Sequence, residues 1–136
     1  MPNVALNLSV SEFVLDSSAI LAVIEHETGW DYVMPLLDHS SVSSVNVAEV
    51  ITRMIDRGMT RDDAFASFDS LDLVIEDFDT MDAVATGALR TATRHLGLSL
   101  GDRACLALAG RLGAVAVTAD KAWAREKLPV AVKLIR

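Results

Sequence analysis

Leu98 to Trp123 reads LSLGDRACLALAGRLGAVAVTADKAW, and this stretch decides the fold. Ala104 to Ala109 is apolar on every side, which predicts a helix buried all round rather than one with a solvent face. Gly110 and Gly113 punctuate its end. Ala114 to Val117 is an unbroken apolar run closed by Thr118, the pattern of a central parallel strand covered on both faces. Asp120 then stands just past the strand's C-terminal end, and open α/β sheets bind ligands in the crevice at that end. The helix that feeds the strand must run antiparallel to it. Asp102, at the start of that helix, therefore comes to the same edge, and two carboxylates converge there.

The totals bound the rest. A chain of 136 residues fits one domain with a substantial core. Hydrophobic residues make up 51% of it, yet no apolar run approaches the roughly 18 residues of a membrane-spanning helix. The surplus predicts buried helices and a two-fold homodimer that buries part of the early helices, around Ile20, Val23 and Ile24 or Trp30 and Val33. Met1 to Val10 has neither a basic start nor a sustained apolar core, so no secretory signal is read there. Residues 1–12 are expected to form a poorly ordered N-terminal extension, and residues 13–136 the domain. The single cysteine, Cys105, excludes an intrachain disulfide, fits a reducing cytoplasm, and lies in the buried helix as a small core residue. A net charge of −7 argues against a broad basic face for nucleic acid, but allows a local basic rim around an acidic, metal-filled centre.

Upstream, Phe13-Val14-Leu15 is the first strand, and Asp16 ends it before a short helix over Ala19 to His26. Trp30 to His39 is a second helical segment with Pro35 as a kink, and Ser40 to Val45 a second strand. Asn46 and Glu49 pair as N-cap and N3 of the next helix, which stops at Gly58. Arg61 to Ser70 carries an apolar stripe, Leu73 to Ile75 is a third strand, and a long helix follows Asp79 as far as Leu96-Gly97. Val130 to Ile135 supplies a last strand. Alternating strands and helices give an α/β domain with a mainly parallel sheet of about five strands flanked by helices.

Asp16, Glu49, Asp102 and Asp120 share one feature: each stands at a strand-to-helix junction or near a helix start. Capping and the helix dipole favour carboxylates there, so each acid taken singly reads as a cap. Thr60-x-x-Asp63 and Asp79-x-x-Asp82 show the same grammar where no chemistry is expected. Topology changes the reading, because every junction leaving a strand C-terminus lies on one edge of the sheet. Four carboxylates gathered within several Å would repel strongly unless a cation lay among them. Oxygen donors without Cys or His suit Mg2+ or Mn2+ rather than Zn2+. Thr118 and Ser17 are expected to add hydroxyl contacts. Arg103 and Lys121, each beside a site acid, are candidates to hold a phosphate.

FVLDSSAI, SSVNVAEV, LSLGDRACLALA and AVTADKAW, in this order and spacing, resemble the four acidic motifs of PIN-domain ribonucleases, and in size and layout the VapC-type toxins of toxin–antitoxin pairs. The resemblance implies a PIN-like sheet of order 3-2-1-4-5, which leaves Asp79 and Asp82 as distant caps. It implies Asp16, Glu49, Asp102 and Asp120 as catalytic and metal-binding residues, with Thr118 in the hydroxyl position two before the last acid. It also implies Mg2+- or Mn2+-dependent cleavage of RNA, a homodimer, and a small cognate antitoxin that covers the acidic cleft.

A rival from another class is a receiver-like phospho-acceptor, which also gathers acids and Mg2+ at strand ends. That design wants adjacent acids after the first strand, where this chain has Asp16-Ser17-Ser18. A third reading keeps the fold only as a non-catalytic interaction module. His26, His39 and His95 show no metal-ligand spacing, and Trp123 alone makes no stacking platform.

Overall fold

A computed structural model describes residues 11–136. Five parallel strands form one sheet in the order β3-β2-β1-β4-β5, as the resemblance implies. They are β1 (Phe13–Leu15), β2 (Ser40–Ser43), β3 (Val74–Glu76), β4 (Val115–Thr118) and β5 (Val132–Leu134). The α-helices are α1 (Ser17–Glu25), α2 (Trp30–Val33), α3 (Ser44–Asp56), α4 (Arg61–Asp69), α5 (Thr80–Ala88), α6 (Arg90–Thr93) and α7 (Leu100–Leu112). The receiver alternative fails on this topology, because receiver sheets run 2-1-3-4-5.

Alternation along the central strands builds two cores. Leu15 and Val117 face one side with Ile20, Val42, Val50, Met54 and Phe68; Val14 and Ala116 face the other with Cys105, Leu106 and Trp123. The α7 helix is buried along most of its length and packs on β1, β2, β4, α3 and α5. Gly113, at φ 65°, ends it in the left-handed conformation that suits glycine. Cys105 is fully buried, and burial with the neighbouring carboxylates pushes its thiol pKa well up, so it is a core residue as expected.

Of the extension expected over residues 1–12, residues 1–10 lie outside the described residues. Glu12, just before β1, bonds on both sides of it: its amide donates to His39 at 2.9 Å and its carbonyl accepts from Val115 at 3.0 Å. Other expectations need correction. Asn46 is not an N-cap. The α3 helix starts at Ser44, and Ser43 caps it by accepting from the Val45 amide at 3.2 Å. The Ser40–Val45 strand is correspondingly shorter.

The long helix after Asp79 is broken into α5, α6 and a 3-10 turn at Arg94–Leu96, where Thr93 leaves helical geometry and its hydroxyl bonds the Leu89 carbonyl at 2.8 Å. Met34–His39, with Pro35 near its start, is likewise a 3-10 segment. Past Asp120 there is only a 3-10 turn, Lys121–Ala124.

Of the residues expected at a dimer surface, Ile20 and Val33 are fully buried inside the protomer and Val23 nearly so, while Ile24 and Trp30 are half-buried. Tyr32 and Met34 of the early helical segments are exposed, but the most exposed large apolar side chains are Met81 and Val84, one turn apart on α5, at 72% and 61% exposure. No helix among the described residues is long and apolar enough to cross a membrane.

Candidate functional site

Asp16 sits where β1 hands over to α1, in the backbone position of an N-cap, but its side chain makes no cap hydrogen bond. Its carboxylate is 3% exposed. Oδ2 accepts from the hydroxyls of Ser18 and Thr118, each at 2.8 Å, and Oδ1 has no partner among the described residues. Burial pushes its pKa up to about 6 from the ordinary 3.8, against the two hydroxyl bonds, with Asp102 and Glu49 adding repulsion.

Thr118 links this acid to the next. Fully buried at the end of β4, its hydroxyl donates to Asp16 and accepts from the Asp120 amide at 3.1 Å. The hydroxyl that completes the cluster is Ser18's rather than that of Ser17. It donates to Asp16, lies 3.3 Å from Thr118, and accepts from the Ala119 amide at 2.9 Å. A serine two residues after Asp16 faces back towards it on the first turn, a register the SerSer pair left ambiguous. Asp120 is exposed and caps its 3-10 turn through Oδ1, which accepts from the Ala122 amide at 2.9 Å.

Asp102 also does two things. It completes a capping box with Ser99, Oδ2 accepting from the Ser99 amide at 2.8 Å while its own amide donates to Ser99 Oγ at 3.1 Å. Burial raises its carboxyl pKa against those bonds, and Asp120 and Glu49 raise it further. Glu49, in the second turn of α3, receives a hydrogen bond from Asn46 Nδ2 to Oε1 at 2.8 Å. The same Nδ2 donates to the Gly101 carbonyl at 3.1 Å, and Glu49's carboxylate lies where a side chain on Gly101 would have to go. Asn46, Gly101 and Ser18 are the residues the sequence reading missed. The available signals were an asparagine and a glycine placed inside helices that disfavour both.

The carboxylates of Asp16, Glu49, Asp102 and Asp120 act on one another electrostatically at this rim of the sheet. Among the described residues no three His, Cys, Asp or Glu side chains close into a ready-made metal cage. Arg103 does not belong to this rim. It is buried, and its guanidinium donates to the Thr86 carbonyl on α5 at 3.1 Å. Lys121 is exposed and lines a separate hollow with His26, Glu27 and Arg136. Asp79 and Asp82 form a capping box on α5, where Arg111 Nε meets Asp82 at 3.1 Å.

A hard divalent cation fits the donor set: carboxylate oxygens throughout, a buried orphan oxygen on Asp16, and pKa values raised by burial and mutual repulsion.

A family model described as "PIN domain" matches residues 13–127. No curated protein matches the chain. Among solved structures, the fold is similar to a chain of DNA-bound VapBC from Salmonella typhimurium (TM-score 0.74, 20% identity, 93% of this chain and 100% of that one). It is similar also to VapBC2 from Rickettsia felis bound to a DNA fragment from its promoter (0.69, 18%, 89% and 96%). A third is VapBC-5 of Mycobacterium tuberculosis, from a family of toxin–antitoxin systems (0.62, 21%, 92% and 98%).

Proposed function

The chain belongs to the PIN-domain family, and from that premise we propose that it is a metal-dependent endoribonuclease, the toxin of a VapC-type toxin–antitoxin pair acting in the cytoplasm. One observation carries the catalytic reading. Asp16 is a buried carboxylate that forgoes the cap its position offers and leaves one oxygen unpartnered, at a cost that packing does not explain. Asp16, Glu49, Asp102 and Asp120 would hold Mg2+ or Mn2+, which polarises a phosphate oxygen and makes bound water more acidic.

The protein's own part is positioning. Ser18 and Thr118 fix Asp16 through Oδ2, and Thr118 ties Asp120's backbone to the same cluster. Ser99 holds one oxygen of Asp102 and leaves the other for the cleft. The cluster brings negative charge to the place where a scissile phosphate must come, so RNA binding as well as cleavage depends on the cation. With Mg2+ or Mn2+ the purified protein should cut single-stranded or looped RNA, and EDTA should stop it. Undiminished cleavage in EDTA, with contaminating nuclease excluded, would refute the proposal.

The partners follow the same reading: an RNA substrate, a cognate antitoxin covering the cleft, and a second copy of the chain. The exposed Met81 and Val84 support a dimer that packs through α5. Light scattering should show a dimer at micromolar concentration and a monomer for the Met81→Glu, Val84→Glu double variant. A wild type that is monomeric throughout that range counts against this interface.

A further inference from the structure

Resting on the metal-site reading above, we infer that Asn46 is a positioning residue, which clamps the Glu49 carboxylate against the first turn of α7 and so joins the helix carrying Glu49 to the one carrying Asp102. Asn46 is fully buried, in the first turn of α3. Its Nδ2 spans two acceptors on different elements, Glu49 Oε1 at 2.8 Å and the Gly101 carbonyl at 3.1 Å. The orientation of the amide is forced, because turned over it would set Oδ1 against two acceptors.

The arrangement is costly for the fold. Oδ1 is buried without a partner among the described residues, a penalty an apolar side chain would avoid. Asparagine also lowers helix propensity here. What the residue provides is a fixed carboxylate: a long, flexible glutamate side chain held at one oxygen, with Oε2 unbonded among the described residues. The remaining support is Gly101, whose lack of a Cβ leaves room for the glutamate head. An outer partner that orients a metal-ligating carboxylate typically accounts for 10–100-fold in metal affinity.

A double-mutant cycle read by Mn2+ binding to the full chain tests this, using calorimetry on variants whose fold is verified by circular dichroism. Glu49→Gln and Asn46→Ala should each weaken Mn2+ binding 10–100-fold, and the double variant should bind no more weakly than Glu49→Gln alone. If the two losses multiply, or if Asn46→Ala binds Mn2+ like the wild type while Glu49→Gln does not, the clamp is wrong and the metal site stands. If Glu49→Gln itself binds normally, Glu49's place in the site is lost and the clamp with it. Should Asn46→Ala fail to fold, Asn46→Ser, whose hydroxyl serves one acceptor only, takes its place in the same cycle.

Discussion

Asp16→Asn is expected to keep or slightly raise the melting temperature of the metal-free protein at neutral pH while removing RNA cleavage and most of the stabilisation that Mn2+ adds. The sign follows from the raised pKa. An aspartate that titrates at 3.8 unfolded and at about 6 folded binds its proton more tightly in the folded state. Below the unfolded value both states are protonated and the site costs nothing. As pH rises from 3.8 through about 6 the cost grows, and above that it is fully present, at about 3 kcal/mol. The metal-free wild type should therefore gain stability on going from pH 7 towards pH 4, while the Asn variant gains less over that window.

Asparagine keeps an oxygen for the Ser18 and Thr118 hydroxyls and replaces the orphan Oδ1 with an amide nitrogen. Its unpaired N–H costs about 1–3 kcal/mol, and weaker hydroxyl bonds to a neutral oxygen add to that. The charge relief is of the same order, so the net change is small and the variant melts at or slightly above the metal-free wild type. The metal effect is much larger. Saturating Mn2+ at 100 times its Kd adds about 2.7 kcal/mol to the wild type, and little of this should survive in the variant. Cleavage should fall by more than the 10–100-fold that an outer partner accounts for. Melting curves with and without Mn2+ at pH 7 and pH 4.5 decide it: an Asn variant that melts lower without metal and still gains the full Mn2+ effect would mean that Asp16 is structural.

The middle of the sheet was legible because β1 and β4 are nearly pure apolar runs. A run such as Ala114 to Val117 has one physical solution, burial on both faces, and the helix before it inherits its direction from that strand. Helix interiors were less legible. Where Asp79's helix gives way to the Arg94–Leu96 turn, Thr93 bonds back to Leu89, a local competition that hydrophobic period does not encode. The early helices were ambiguous for a related reason. Ile20, Val23 and Val33 are apolar whether they face a partner or the chain's own core, and only the packing of α1 between α3 and β4 decides between the two.

Capping grammar found the four acids and could not rank them. Asp102 and Asp120 cap with one oxygen each, which leaves the other oxygen of each for the proposed site, so capping does not argue against that role. Asp16 differs, because its carboxylate turns from the helix end towards two hydroxyls. The Ser18 bond depends on which residue of the first helical turn looks back at the strand. The polar contacts of Asn46 and the direction of Arg103 were beyond sequence for the same reason: both point across to elements far along the chain, at Gly101 and at Thr86.

Gly101→Ala should separate stability from function more sharply than any acid substitution. Gly101 lies in the first turn of α7, where alanine is the better helix former by up to about 1 kcal/mol. The new methyl would overlap the Glu49 carboxylate, and something must move. What it meets is the far end of a flexible side chain, not backbone, so Glu49 swings aside at the cost of its hydrogen bond to Asn46, about 1 kcal/mol. The two terms nearly cancel, and the melting temperature of the metal-free protein should stay within a few degrees of wild type. The site does not recover, because the displaced carboxylate no longer sits beside Asp102. Mn2+ affinity and RNA cleavage should each drop at least 10-fold, with far-ultraviolet circular dichroism unchanged. A variant that melts normally and cleaves normally would show that the position of Glu49 does not matter to the reaction. Loss of cleavage accompanied by a large fall in melting temperature would instead place the effect in the packing of α3 against α7.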